Sequence, residues 1–379
     1  MRLVVRATLA VLLSSAGAAH AASAQLSATV MRQADSIAAA EFARDSVASL
    51  TIGIVTDRGL VWTKSYGYAD IGARKLADRQ TVYRIGSIAK MFTGLMAQQL
   101  AASGKVRLSD PVERYYPEIR EIRGYSKLPA PITIGQLATM SSGIAREPRE
   151  EGPFWTGPVS RWDSTLHLAL PHTEIEGVPK SGMLYSNIGY AILGATLGRA
   201  AGMPFTEWQR TKILGPLGMR HTVFEIDSTI AATVSRGYEI GENGSFSSRT
   251  ADTEAVTGRG YKVPNGALYT TIDDLSRFVM LQLGQGPDDV IARARLDSAF
   301  SGTLPGSYAP DSTYGLGFTA DRGRYEWFGH NGGVAGFTAA LMFDRKNQLG
   351  VITLRNATGG RVRPVAATVM VLQALERSK

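Results

Sequence analysis

The strand-forming runs of this chain sit at its two ends, with a long helix-and-loop stretch between them. Residues 50–55 and 60–68 are β-rich and flank Asp57-Arg58-Gly59, the pattern of a hairpin. Far downstream, residues 336–343 and 349–354 flank Asp344-Arg345-Lys346-Asn347 in the same way. Helical patterns bracket these strands: 28–44, where Val30, Ala34, Ile37, Ala38 and Phe42 share a face, and the apolar stretch 362–375. The middle is broken by Pro and Gly, with helical runs at 187–201, 205–214 and 272–283, the last with Thr271 placed to cap it. This order predicts an α+β fold: an antiparallel β-sheet flanked by N- and C-terminal helices, with an inserted mainly helical region. The expected division is 25–104 with 302–379 for the sheet region and 105–301 for the helical one. A cleft between two such regions is a usual place for a small-molecule site.

The first 24 residues read as an address rather than as fold. Arg2 and Arg6 precede a short apolar stretch, and Ala19-His20-Ala21 and Ala22-Ser23-Ala24 are small-x-small cleavage patterns. The apolar run is well short of the ~20 residues of a membrane span. The expectation is a signal peptide cut near Ala21 or Ala24 and a periplasmic or secreted protein with no membrane span. Removing 1–24 takes two Arg and no acid, so the formal charge falls from +8 to +6. The basic residues form no dense run with interleaved aromatics, which argues against nucleic acid as a partner. Cys is 0, which excludes disulfides, thiolate metal sites and a cysteine nucleophile.

Three short segments carry chemistry. Ser87-Ile88-Ala89-Lys90 places Ser and Lys three apart at a predicted helix start, on one face. The helix N-terminus favours an alkoxide-like serine and a lysine without its proton, and such a lysine can accept the serine proton or hold the field that activates it. Tyr185-Ser186-Asn187 precedes the 187–201 helix. A tyrosine near cations is expected to have a lowered pKa and to serve as a general base. Asn187 can orient the nucleophile and Lys90, or donate to a substrate carbonyl. His330-Asn331-Gly332-Gly333 is read as lying just before the 336–343 strand, where a backbone N–H can complete an oxyanion hole with that of Ser87. Each of the first two patterns occurs once in the chain.

In this order the three segments resemble those of the serine β-lactamase and penicillin-recognising superfamily, in particular its class C β-lactamase-like branch with D-aminopeptidase, DD-peptidase and esterase relatives. Residues 132–144 (ITIGQLATMSSGI), 266–275 (GALYTTIDDL) and 327–337 (WFGHNGGVAGF) are similar to further segments of that family. The resemblance implies Ser87 as acylated nucleophile, Lys90 as its proton partner and Tyr185 as general base. It implies Asn187, His330, Asn331, Gly332 and Gly333 as substrate-binding, with the Ser87 and Gly333 N–H groups as the oxyanion hole. It implies acyl transfer through an ester on serine, with no metal or organic cofactor. The substrate would be a short acyl ester, a D-amino-acid peptide or a β-lactam, and a cell-wall-derived ligand is a candidate partner. True β-lactamases of this branch begin the third segment Lys-Thr-Gly. A neutral His330 there binds a carboxylate weakly, so esterase or peptidase action is favoured over β-lactam hydrolysis. A binding or sensing module on the same fold is the alternative outside enzymes.

Other residues give weaker leads. His167 and His172 do not make a helical metal pair. Glu150, Glu151 and Glu174 lie in loop-rich stretches but carry no glycosidase pattern. Residues 145–163, with Phe154, Trp155 and Trp162, read either as a loop over the cleft or as a packed surface loop. Met140, where relatives often carry His, is read as a packing variation. Residues 241–260 read as a polar, mobile loop.

Overall fold

The computed structural model describes residues 26–301, 307–309, 312–323 and 326–378, so the leader segment lies outside the described residues. Its principal helices are α1 (Ala28–Phe42), α2 (Ala89–Ala102), α3 (Asn187–Ala201), α4 (Arg249–Thr257), α5 (Ile272–Gln282) and α6 (Pro364–Glu376). Its main strands are β1 (Ser49–Thr56), β2 (Gly59–Asp70), β3 (Lys75–Leu76), β4 (Ser307–Ala309), β5 (Ser312–Tyr314), β6 (Thr319–Arg322), β7 (Glu326–Val334), β8 (Phe337–Asp344) and β9 (Leu349–Arg355).

These nine strands, counted among the described residues, form one sheet in the order β3-β2-β1-β9-β8-β7-β6-β5-β4. The two ends of the chain meet at its centre. Antiparallel pairing sets Leu50 opposite Arg355 and Val55 opposite Gly350, joining the first hairpin to the second. All residues of β9 are buried, because both faces of the sheet are covered. On one face Ile52, Ile54, Leu349 and Val351 pack with Val30, Ala34 and Ala38 of α1 and with Val371, Leu372 and Leu375 of α6. On the other, Val55, Ile352 and Leu354 join the large core with Phe92 of α2 and Phe278 of α5. The strand period of two thus splits one apolar sequence between two layers. The α+β fold with terminal helices on the sheet is what the sequence pattern predicted.

Helix α2 is buried on nearly every side, from Ala89 through Gln98, as expected of a helix apolar all round. It packs against α3, which is buried from Ile188 to Gly198. Thr271 caps α5 as expected, its side chain accepting from Asp274 N at 3.1 Å.

One local expectation is corrected and a second is refined. The 241–260 stretch contains helix α4. Glu254 on that helix pairs with nearby Arg259 and with Arg84, 170 residues away, and the distant partner supplies an order that local polarity does not reveal. The His330-Asn331-Gly332-Gly333 segment lies just before β8, as expected, but is itself part of a strand, β7. Its glycines mark close backbone approach rather than a turn.

Candidate active site

Ser87 sits in a single 3-10 turn, Gly86–Ile88, that runs directly into α2. The turn is held from behind, where Ile85 N donates to Leu268 O at 3.1 Å. Gly86 has φ +49°, and a Cβ on it would lie 2.8 Å from Gly333 N. A Cβ on Gly332 would lie 1.9 Å from Ile85 O and 3.2 Å from Ser87 N. Glycine at both places lets β7 and the Ser87 turn pack backbone against backbone. This brings the Gly332-Gly333 backbone beside Ser87, whose N–H is in a first turn that lacks intrahelical partners.

Lys90 is fully buried one turn along. Its Nζ lies 3.0 Å from Ser87 Oγ, 2.8 Å from Asn187 Oδ1 and 3.1 Å from Asn265 O. Burial drives the ammonium well below the usual amine range. Glu147 opposes that shift, and the charges of Arg259, Arg146 and Lys262 add to it. A neutral amine has two N–H donors and one lone pair. The Asn187 and Asn265 oxygens can only accept, so they take the two donors. The lone pair is left for the Ser87 hydroxyl.

The Asn187 amide is oriented by its other end. Asn187 Nδ2 donates to Glu147 Oε1 at 2.7 Å, and a carboxylate can only accept. Tyr261 donates its hydroxyl to the other Glu147 oxygen, and Lys262 Nζ is 3.5 Å from Oε1. Asn265 Nδ2 donates to Asn187 O at 2.8 Å, closing a ring of contacts around Lys90.

Tyr185 and Asn187 flank the N-cap of α3. Ser186 accepts from Gly189 N at 2.9 Å and donates to Ala145 O at 2.7 Å. Ser186 N donates to Met140 Sδ at 3.2 Å, so Met140 is a buried prop for this turn. The expected lowering of the Tyr185 pKa is corrected. Burial raises the phenol to about 12, against a hydrogen bond to Ser87 and the charge of Arg146. Two cations lie over its ring: Lys90 Nζ is 4.9 Å and Arg146 Cζ 4.8 Å from the ring centroid. Near neutral pH Tyr185 is therefore a phenol, a proton donor.

On β7, Asn331 and Gly333 are exposed while His330 and Gly332 turn inward. His330 is 3% exposed, so its expected place against substrate is corrected to one behind the site. Its Nε2 is 3.0 Å from the Tyr314 hydroxyl, and its Nδ1 bonds Asn331 O. Its ring stands 6.2 Å from that of Tyr185. Burial and the nearby Lys90 push its pKa down to about 3, so it is neutral and brings no cation.

Residues 34–375 match the Beta-lactamase family. The chain belongs to the Beta-lactamase family. It is 28% identical over 323 residues to Beta-lactamase-like protein 2 of Dictyostelium discoideum, covering 81% of this chain and 56% of that one. It is 26% identical over 329 residues to Protein flp of Staphylococcus aureus (strain NCTC 8325 / PS 47), covering 86% and 63%. It therefore spans less than two thirds of the length of these relatives. The octameric penicillin-binding protein homologue from Pyrococcus abyssi shares the fold, with a TM-score of 0.75, 23% identity and coverage of 92% and 77%.

Within this β-lactamase-family fold, sequence reading missed Arg146, Glu147, Tyr261 and Asn265. A signal for the first two was available, because they open the 145–163 loop suspected of covering the cleft. The aromatics noted there have other places. Phe154 is buried, Trp162 packs on Phe205, and Trp155 stacks under Lys262. Glu150 pairs with Arg123 and His172, and Glu174 with Arg149, away from Ser87. No group of three or more potential metal-ligating His or acidic side chains occurs among the described residues. A cavity of about 710 Å³ lies elsewhere, lined by Arg79, Arg220 and His221 among others. Its Arg79 and Arg277 are neutralised by Asp273 and Asp274. No helix among the described residues is long and apolar enough to cross a membrane.

Proposed function

We propose that this chain is a serine hydrolase that opens an ester or amide through a covalent acyl-serine. The observation that carries the reading is Lys90: a buried amine 3.0 Å from Ser87 Oγ whose two other contacts, Asn187 Oδ1 and Asn265 O, can only accept. Neutral Lys90 accepts the Ser87 proton as Oγ bonds to the carbonyl carbon. The carbonyl oxygen gains the electron pair and is held by the Ser87 and Gly333 N–H groups. As the tetrahedral adduct collapses, Tyr185 gives its proton to the leaving group and regains one from the Lys90 ammonium. Water then gives a proton to Lys90, attacks the acyl carbon and releases the acid, and Ser87 takes its proton back. Base duty thus falls to Lys90, with Tyr185 as the relay, a reversal of the emphasis the motifs alone suggest.

In this reading the sheet region (25–104 and 302–379) brings Ser87, Lys90 and residues 330–333. The helical region (105–301) brings Tyr185, Asn187 and Glu147. The substrate is a short acyl ester or a D-amino-acid peptide in preference to a β-lactam, since the third segment holds a neutral buried His330 in place of a cation. The leader-like residues 1–24 support export.

The test is intact-mass analysis after a fluorophosphonate probe. One adduct is expected on the wild type and none on Ser87→Ala. An adduct retained by folded Ser87→Ala, or none on either protein, overturns the nucleophile assignment.

A further inference from the structure

We infer that the Arg146 guanidinium anchors a carboxylate on the substrate, so that the preferred acyl substrates are anionic. This rests on the serine hydrolase reading and names its substrate class.

Four cations lie around the reacting groups, and three are committed. Lys90 is buried among its three partners. Arg259 pairs with Glu254 and donates to Gly266 O. Lys262 lies 3.5 Å from Glu147 and 4.3 Å from the Trp155 ring centroid. Arg146 is exposed, and its side chain has no carboxylate partner among the described residues. Its neighbour Glu147 is already taken by Asn187, Tyr261 and Lys262.

Arg146 is nevertheless fixed in place. Its carbonyl accepts from Asn187 N at 2.9 Å, which ties its backbone to the start of α3 and so to the catalytic amide. Its guanidinium carbon stands 4.8 Å from the Tyr185 ring centroid. Packing against the ring restrains a planar guanidinium while leaving N–H groups free to grip a carboxylate with two parallel bonds. A cation so placed, unpaired and next to the proton relay, selects an anionic acyl chain over a neutral one of the same length. Its partial exposure keeps its own desolvation cost small.

The experiment compares 4-nitrophenyl hydrogen adipate with 4-nitrophenyl hexanoate, which share a six-carbon acyl chain, each corrected for uncatalysed hydrolysis. The wild type should show the higher kcat/KM on the adipate. Raising salt from 20 to 500 mM should erode that preference. Arg146→Gln should lower the adipate-to-hexanoate ratio at least about tenfold, the scale of a charge-assisted hydrogen bond. Arg146→Lys should recover part of it. Reading a ratio cancels any shared effect of the substitution on Lys90. A ratio unchanged in Arg146→Gln, with both esters hydrolysed, overturns the proposal and leaves the serine reading standing. Turnover of neither ester, together with no Ser87 adduct from the fluorophosphonate, overturns the serine reading and the proposal with it.

Discussion

Replacing Gly332 by Ala adds one methyl group at the tightest joint of the site. The new Cβ would lie 1.9 Å from Ile85 O, 2.9 Å from Ile85 C and 3.2 Å from Ser87 N. Carbon and oxygen normally meet no closer than ~3.3 Å, so relief demands a shift of about 1.4 Å. The obstacle is backbone, not a flexible side chain. Ile85 is fully buried and hydrogen-bonded to Leu268, and Tyr83–Arg84 before it is paired with Tyr269–Thr270. The strain must therefore move β7 or the Ser87 turn. A misplacement of ~1 Å at a reacting centre costs ~10²-fold in rate. Overpacking of this kind costs about 1–3 kcal/mol of stability. We expect Gly332→Ala to fold, to lose that much stability in urea, and to react with a fluorophosphonate about 100-fold more slowly than wild type. Gly333→Ala supplies the contrast, since its Cβ meets nothing within 4 Å. Its stability should stay within about 0.5 kcal/mol of wild type. A Gly332→Ala protein that matches wild type in stability and labels within threefold of it would refute the backbone packing described here.

Tyr185→Phe should lose ~10²-fold in kcat/KM, the scale of one positioned proton relay, with the fold unchanged by circular dichroism. A loss below threefold would remove Tyr185 from the reaction. Because Lys90 must be neutral to act, kcat/KM should fall as pH drops through its lowered pKa and recover above it. Glu147→Gln removes a charge that favours the ammonium, so this acid limb should move to lower pH while the limiting rate drops severalfold; a limb that stays put or moves up contradicts the arrangement. His330 is neutral down to about pH 3 in the native state, while the unfolded chain takes up its proton near 6.5. Between those values the unfolded state binds more protons, so stability falls as pH falls, by at most about 1.4 kcal/mol per pH unit. His330→Gln should flatten that decline between pH 6.5 and 4.5 in urea titrations, and an equally steep decline would place the effect elsewhere.

The layered fold was legible because its signals are local. The turn at 57–59 and that at 344–347 each announce a hairpin, and the spacing of Val30, Ala34 and Ala38 announces a helix with one buried face. The nucleophile segment was legible for a similar reason, because Ser87 and Lys90 are one turn apart on one helix. In that turn, however, Gly86 packs against the Gly333 backbone, a contact between residues far apart in the chain.

What the sequence determined by itself was which side chains exist and where short-range geometry puts them: the Ser87–Lys90 pair, Tyr185 before the start of a helix, the glycine pair at 332–333. The protonation states were decided only by tertiary structure, because they follow from burial and from charges brought in by distant segments. Tyr185 was expected to be acidified by cations. The fold instead buries it and puts those cations over its ring, and the phenol keeps its proton. His330 was expected to face substrate, but the alternation of β7 turns it inward, where solvation of its charged form is lost. Glu147, remote from Lys90 in sequence, orients Asn187 and through it leaves Lys90 a lone pair for Ser87. Spacing cannot encode such an arrangement, since it depends on three elements closing around one buried amine.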